Sequence, residues 1–207
     1  MVKGPRMETV AYYLALISVM AAPAAVAVWL VVHPLAGWWR RVGRACTYVG
    51  MAAVIAAVMW GIYSVRGPIL SLHFGVRAPL VTASAVLFGL SLYMNVQIYR
   101  LIPRGMLLGL HEVSRQDPGR LITGGIYSKM RHPRYVAMSF GITAMALLTN
   151  YLALYLIALI YVPLIYMVSV LEERELSLRF GAAYRDYCAR VPRFIPRFRE
   201  SRGIEIK

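Results

Sequence analysis

The sequence predicts an all-α integral membrane protein with about five transmembrane helices and a C-terminal amphipathic helix. Three observations predict this. Fifty-nine per cent of the residues are hydrophobic and 15% are charged, against the roughly 45–50% apolar usage of soluble domains. The apolar residues gather into runs near the 20 or so residues that cross a bilayer. The cations behind a net charge of +14 sit in the gaps between those runs. That placement suits lipid headgroups and the positive-inside rule. A nucleic-acid-binding domain would gather them on one soluble face, so no nucleic acid is expected as a partner.

The first run is 10–32. Lys3 and Arg6 precede it and "AAPAA" has the look of a cleavage zone. The apolar stretch nevertheless continues about seven residues past that zone, longer than the core of a secretory signal, so a retained helix is expected. Runs 46–65 and 79–98 follow. The fourth, 135–149, has only 15 residues and must extend back through Pro133 or sit partly inside the bundle. The fifth is 151–171. Only Asn150 and its neighbours separate the last two, which predicts a tight helical hairpin.

Five spans put the two termini on opposite sides, and Lys/Arg usage orients them. Segments 33–45, 99–134 and the tail from Glu172 together carry 19 Lys and Arg, against 4 for the N-terminus, 66–78 and the hairpin turn. This predicts an N-terminus outside, with the long basic loop and the C-terminus cytoplasmic. No internal repeat is visible. The chain therefore reads as a single membrane domain, with three N-terminal spans in 1–98. The loop, hairpin and C-terminal helix occupy 99–207. Cys46 and Cys188 lie far apart and suggest neither a disulfide nor a metal site. His33, His73 and His111 are read as interfacial, and Asn95 and Gln97 as hydrogen-bonding between helices.

Two polar clusters flank the hairpin on the predicted cytoplasmic side. In "SKMRHPRYVAM", residues 128–138, Pro133 suits the first position of a helix and places His132 at its cap. The N-terminus of that helix can receive a carboxylate or phosphate. Arg131 adds a fork of donors, and Tyr135 a ring face for a cation. The same residue types also anchor helices at a membrane surface, and residue type alone leaves both readings open. In the second cluster, Glu172 and Glu173 follow the fifth span directly. Acids at the C-terminal end of a helix oppose its dipole, so they call for a cation or a ligand hydroxyl; a solvated pair with Arg174 and Arg179 is the plainer reading. Beyond them, Leu176, Phe180, Tyr184, Tyr187 and Val191 recur at steps of four, four, three and four. This forms the apolar stripe of an amphipathic helix, bent at Gly181 and ended by the prolines of "VPRFIP".

The segment "GGIYSKMRHPRY", followed about 40 residues later by "EERELSLRFGAAYRDYCARVPRFIP", resembles the isoprenylcysteine carboxyl methyltransferase and phospholipid N-methyltransferase superfamily. The likeness covers residues 121–198. It implies an integral membrane methyltransferase that takes its methyl group from S-adenosylmethionine and releases S-adenosylhomocysteine. Carried onto this chain, it implies that Tyr127, His132, Pro133, Tyr135, Glu172 and Glu173 bind the cofactor. The acceptor is expected to be lipid-soluble or lipidated, foremost the carboxylate of a prenylated cysteine-like molecule. Arg131 or Arg179 would position such a carboxylate, while His132 or Glu173 would take the proton of an amine acceptor such as a phospholipid headgroup. The basic loop is expected to draw in anionic lipids. Where many relatives carry a glycine two residues after the motif tyrosine, this chain has Ala137. Membrane sterol reductases, which use NADPH, end in a similar segment but place asparagine between the histidine and tyrosine of the first motif. A non-enzymatic, lipid-binding membrane protein is the remaining alternative.

Overall fold

The structure is a computed structural model that describes residues 5–32, 35–102 and 120–196. His33, His111 and residues 103–119 of the basic loop lie outside the described residues. The helices are α1 (Pro5–Val32), α2 (Ala36–Val42), α3 (Arg44–Ser64), α4 (Arg66–Ile69), α5 (Ala78–Leu101), α6 (Pro133–Thr149), α7 (Leu152–Phe180) and α8 (Ala182–Arg190), with a 3-10 turn at Gly125–Ser128. A helix satisfies its own backbone, which hydrocarbon demands. Among the described residues, four helices, α1, α3, α5 and α7, are long and apolar enough to cross a membrane. The fifth, α6, has 17 residues and measures about 25 Å at 1.5 Å per residue, less than the roughly 30 Å of hydrocarbon. Both features the sequence suggested are present, although the start at Pro133 is already counted in that length. The helix begins at Pro133, and its Ala137, Ala144 and Ala146 are fully enclosed by the bundle. The chain is an all-α integral membrane protein.

The most intimate packing is between α5 and α6. The Ser91 hydroxyl donates to the Ala137 carbonyl at 2.8 Å. One turn on, a methyl group at Gly141 would meet the same hydroxyl at 3.4 Å. Small residues at 137 and 141 let the two backbones approach, as is common between membrane helices. Asn95 does not bridge helices as expected. Its amide donates to the Ser91 carbonyl within its own helix at 2.9 Å, the local alternative open to short polar side chains.

At the end of the bundle away from the two motifs, Asn150 turns the chain with φ 54° and ψ 38°. Left-handed backbone is a conformation asparagine tolerates better than most residues. Its side-chain amide donates to the Gly75 carbonyl at 2.7 Å and accepts from the Tyr155 hydroxyl at 2.9 Å. The Phe74 and Leu152 amides complete a short pairing between segments 72–75 and 150–152. His73 stacks on Tyr151 there, with ring centroids 4.4 Å apart.

One expectation fails. The fifth span does not close at Glu172-Glu173; α7 continues two turns further, to Phe180. The apolar run stops where the helix meets the polar boundary, but "EERELSLRF" is made largely of good helix formers and carries the helix onward. The paired acids therefore lie inside a helix, where the terminal dipole argument does not apply. The chain then breaks at Gly181, with φ 57° and ψ −126°, a conformation only glycine adopts easily. Past that break, Tyr184, Tyr187 and Val191 of the α8 segment form a buried cluster with Leu121, Leu176, Phe180 and Cys188. This is the predicted stripe, folded back over the end of the bundle.

Candidate functional site

The site lies where the mouth of α6 meets the last turns of α7 and the α8 segment. Pro133 is the first residue of α6 and His132 its cap, as the missing N–H of proline favours. Behind them, the chain that leaves α8 returns as a strap. The Arg131 amide donates to the Pro192 carbonyl at 2.9 Å, and the His132 amide to the Arg193 carbonyl at 3.0 Å.

His132 is buried and stands between the two acids. Its Nε2 is 2.9 Å from Oε1 of Glu173, and its Nδ1 is 3.5 Å from Oε2 of Glu172. Burial opposes the charged imidazole, but the hydrogen bonds and charges of the two carboxylates outweigh it and raise its pKa above the usual 6.5. A carboxylate at each ring nitrogen suits an imidazolium, which donates from both. The Tyr135 ring stacks on the imidazole with centroids 5.4 Å apart, and its hydroxyl donates to Oε2 of Glu172 at 2.8 Å.

Glu173 is a hub. Besides His132, it lies 3.1 Å from Nη2 of Arg131 and accepts from Nε and Nη2 of Arg193 at 2.9 and 2.7 Å. The fork on Glu173 is the two-point geometry at which guanidinium–carboxylate pairs are strongest. Hydrogen bonding to Glu173 is also the main reason the Arg193 pKa is raised. Arg131 reaches the other way too, donating to the Cys188 carbonyl at 2.9 Å.

In front of this cluster lies a cleft of about 150 Å³, lined by the cations Arg120, Arg131 and Arg134, by the His132 imidazole, by the acid Glu172 and by the rings of Tyr127, Tyr135, Phe180, Tyr184 and Tyr187. Drug-sized ligands fill roughly 300–1,000 Å³, so this enclosed part suits one end of a larger molecule. Tyr127 is fixed through its backbone, whose carbonyl accepts the Tyr187 hydroxyl at 2.7 Å. Burial is the chief reason the Tyr127 phenol pKa is raised. The cleft thus brings together cations, one carboxylate and aromatic rings.

The profile of the phospholipid methyltransferase family matches residues 80–183, half of the chain. The chain belongs to the phospholipid methyltransferase family. That span holds nearly all of α5, all of α6 and α7, the first motif cluster and the paired acids of the second, and ends before Tyr184. Two curated proteins are similar over shorter stretches. One is the nickel-cobalt-cadmium resistance protein NccN of Alcaligenes xylosoxydans xylosoxydans, 33% identical over 41% of this chain. The other is the cobalt-zinc-cadmium resistance protein CzcN of Cupriavidus metallidurans, 33% identical over 44% of this chain. The matches span 40% and 42% of those relatives' own lengths. No solved structure matches.

Of the residues the sequence singled out in this family member, the structure brings Tyr127, Arg131, His132, Pro133, Tyr135 and Glu172 to one cleft. Glu173 stands directly behind, held by cations. Arg179 is not among the cleft residues; its guanidinium lies 5.2 Å from the centre of the Phe180 ring. Ala137, standing where relatives have glycine, is fully buried in the α5–α6 contact, which accounts for a small residue there. Arg193 was missed: its one sequence signal is a cation set between the two prolines of "VPRFIP".

Proposed function

We propose that this membrane methyltransferase takes its methyl group from S-adenosylmethionine and transfers it to the carboxylate of a lipid-tailed acceptor. The residues of the cleft fit the cofactor by their chemistry. Glu172 matches an ammonium or ribose hydroxyls, the N-terminus of α6 with Arg131 matches a carboxylate, and the tyrosine rings match an adenine or a sulfonium. When bound, S-adenosylmethionine supplies a methyl group already electrophilic on sulfur.

One observation favours a carboxylate acceptor over an amine: both nitrogens of His132 face carboxylates. With both ring nitrogens engaged by carboxylates, His132 is poorly placed to take an acceptor's proton, and Glu173, already shared among Arg131, His132 and Arg193, is no better. A carboxylate needs no deprotonation. It needs positioning by cations and exclusion of water, and Arg120, Arg131 and Arg134 line the cleft. The family description favours a second reading, a phospholipid amine acceptor, in which Glu172 takes the proton. In both readings the tail stays in the bilayer, and the cleft opens to the cytoplasm on the side the Lys/Arg distribution indicates.

Calorimetry on the protein in nanodiscs is expected to show binding of S-adenosylhomocysteine in the micromolar range and none of NADPH. No heat with S-adenosylhomocysteine refutes the cofactor assignment. Membranes incubated with methyl-labelled cofactor should yield a base-labile methyl ester; label on a quaternary amine headgroup would establish the second reading instead.

A further inference from the structure

Arg193 lies near the end of the second motif and does not line the cleft, yet its surroundings tie it through Glu173 to Arg131 and His132, which do. The strap 191–196 leaves α8 and runs beside the mouth of α6, pairing its backbone with Arg131 and His132. The Arg193 guanidinium forks onto both oxygens of Glu173. It lies 4.9 Å from the centre of the Tyr166 ring on α7, a partly enclosed place for the guanidinium. The next residue, Phe194, packs 5.8 Å from the His132 ring and joins the cluster around Tyr135. Arg193 thus fixes the rotamer of Glu173, and Oε1 of Glu173 in turn touches both Arg131 and His132.

We infer that Arg193 is a positioning residue for methyl transfer: by clamping Glu173 from behind, it holds Arg131 and His132 in register at the mouth of the cleft. The inference rests on the cofactor reading above. A lysine in its place would keep the charge and lose the planar two-point fork, so charge alone does not suffice. Without the clamp, Glu173 is free to leave this geometry, and the Arg131 and His132 side chains that it holds shift with it. Cofactor binding then suffers first, and the transfer step, which depends on the acceptor and donor once both are bound, suffers less.

The test is a double-substitution cycle on the full chain in nanodiscs, reading S-adenosylhomocysteine affinity, cofactor KM and kcat. Arg193→Met is expected to weaken binding at least tenfold and raise KM by a similar factor, with kcat within threefold of wild type. Arg193→Lys should recover only part of this. Because the two residues act as one unit, Arg193→Met added to Glu173→Gln should cost no more than twofold beyond Glu173→Gln alone. A merely structural role would move thermal stability without this non-additive pattern in ligand affinity. Should Arg193→Met fail to fold, Arg193→Lys with Glu173→Gln gives the same cycle. Wild-type binding together with Arg193 variants within twofold of wild type, or losses that simply add, overturns the inference alone. Wild-type protein that binds no S-adenosylhomocysteine overturns the cofactor reading and this inference with it.

Discussion

The two adjacent acids should separate cleanly under the same substitution. In Glu173→Gln, an amide of equal shape replaces a carboxylate that serves Arg131, His132 and both arms of the Arg193 fork. The amide carries no charge and turns its own N–H₂ toward donors. Hydrogen bonds to charged groups are worth about 1.5–3 kcal/mol each. Glu173 and Arg193 are 13% and 25% exposed, so water takes back part of the loss, leaving a destabilisation of about 3 kcal/mol. At 2–4 °C per kcal/mol for a chain of this size, Tm falls by roughly 6–12 °C. Glu172 is 29% exposed and lines the cleft, so Glu172→Gln should cost about 1 kcal/mol of stability or less. It should weaken S-adenosylhomocysteine binding at least tenfold, because that carboxylate faces the ligand. Thermal unfolding in nanodiscs, with and without ligand, measures both. If Glu173→Gln melts within 2 °C of wild type, or Glu172→Gln proves the less stable of the two, the division of roles is wrong.

Three further outcomes follow from the same geometry. Tyr135→Phe removes the hydroxyl that donates to Glu172 at 2.8 Å; losing a hydrogen bond to a charged group should cut ligand affinity about tenfold, and a change under twofold contradicts the assigned contact. Ala137→Leu forces a larger side chain into the α5–α6 contact, where overpacking costs about 1–3 kcal/mol, while Ala137→Gly should bind ligand like wild type. The raised pKa of His132 gives stability that is fully present below the unfolded value near 6.5 and lost as pH climbs through the higher folded value; Tm should therefore decline above neutrality in wild type and much less in His132→Gln.

Much of this was legible in the sequence because the signals were local. Pro133 marks a helix start through its own ring, Asn150 a turn through the backbone it tolerates, and Gly181 a break through its missing Cβ. The stripe from Leu176 to Val191 is a periodicity, and it packs as one. What the sequence hid was long-range or a matter of degree. The end of an apolar run does not mark the end of α7, because polar helix formers continue a helix past the hydrocarbon. Arg193 carries no such local signal, since nothing within its own segment names Glu173 as its partner. Arg179 shares its segment with the acids, yet in the structure it lies against Phe180 and outside the cleft lining.

In lipid the apolar faces of helices gain little from one another, since hydrocarbon tails are equally good neighbours. The register of α6 against α7 therefore draws on polar contacts as well as on close packing. The structure has them at both ends of the hairpin: Asn150 with Gly75 and Tyr155 at one, and Tyr135, His132, Glu172 and Glu173 at the other. The charged cluster is thus both the wall of the cleft and the latch that aligns its two helices. A substitution there disturbs folding and binding together unless it touches only the cleft side of the latch. That is why the contrast between Glu172 and Glu173, rather than loss of activity in either alone, discriminates a ligand contact from a structural one.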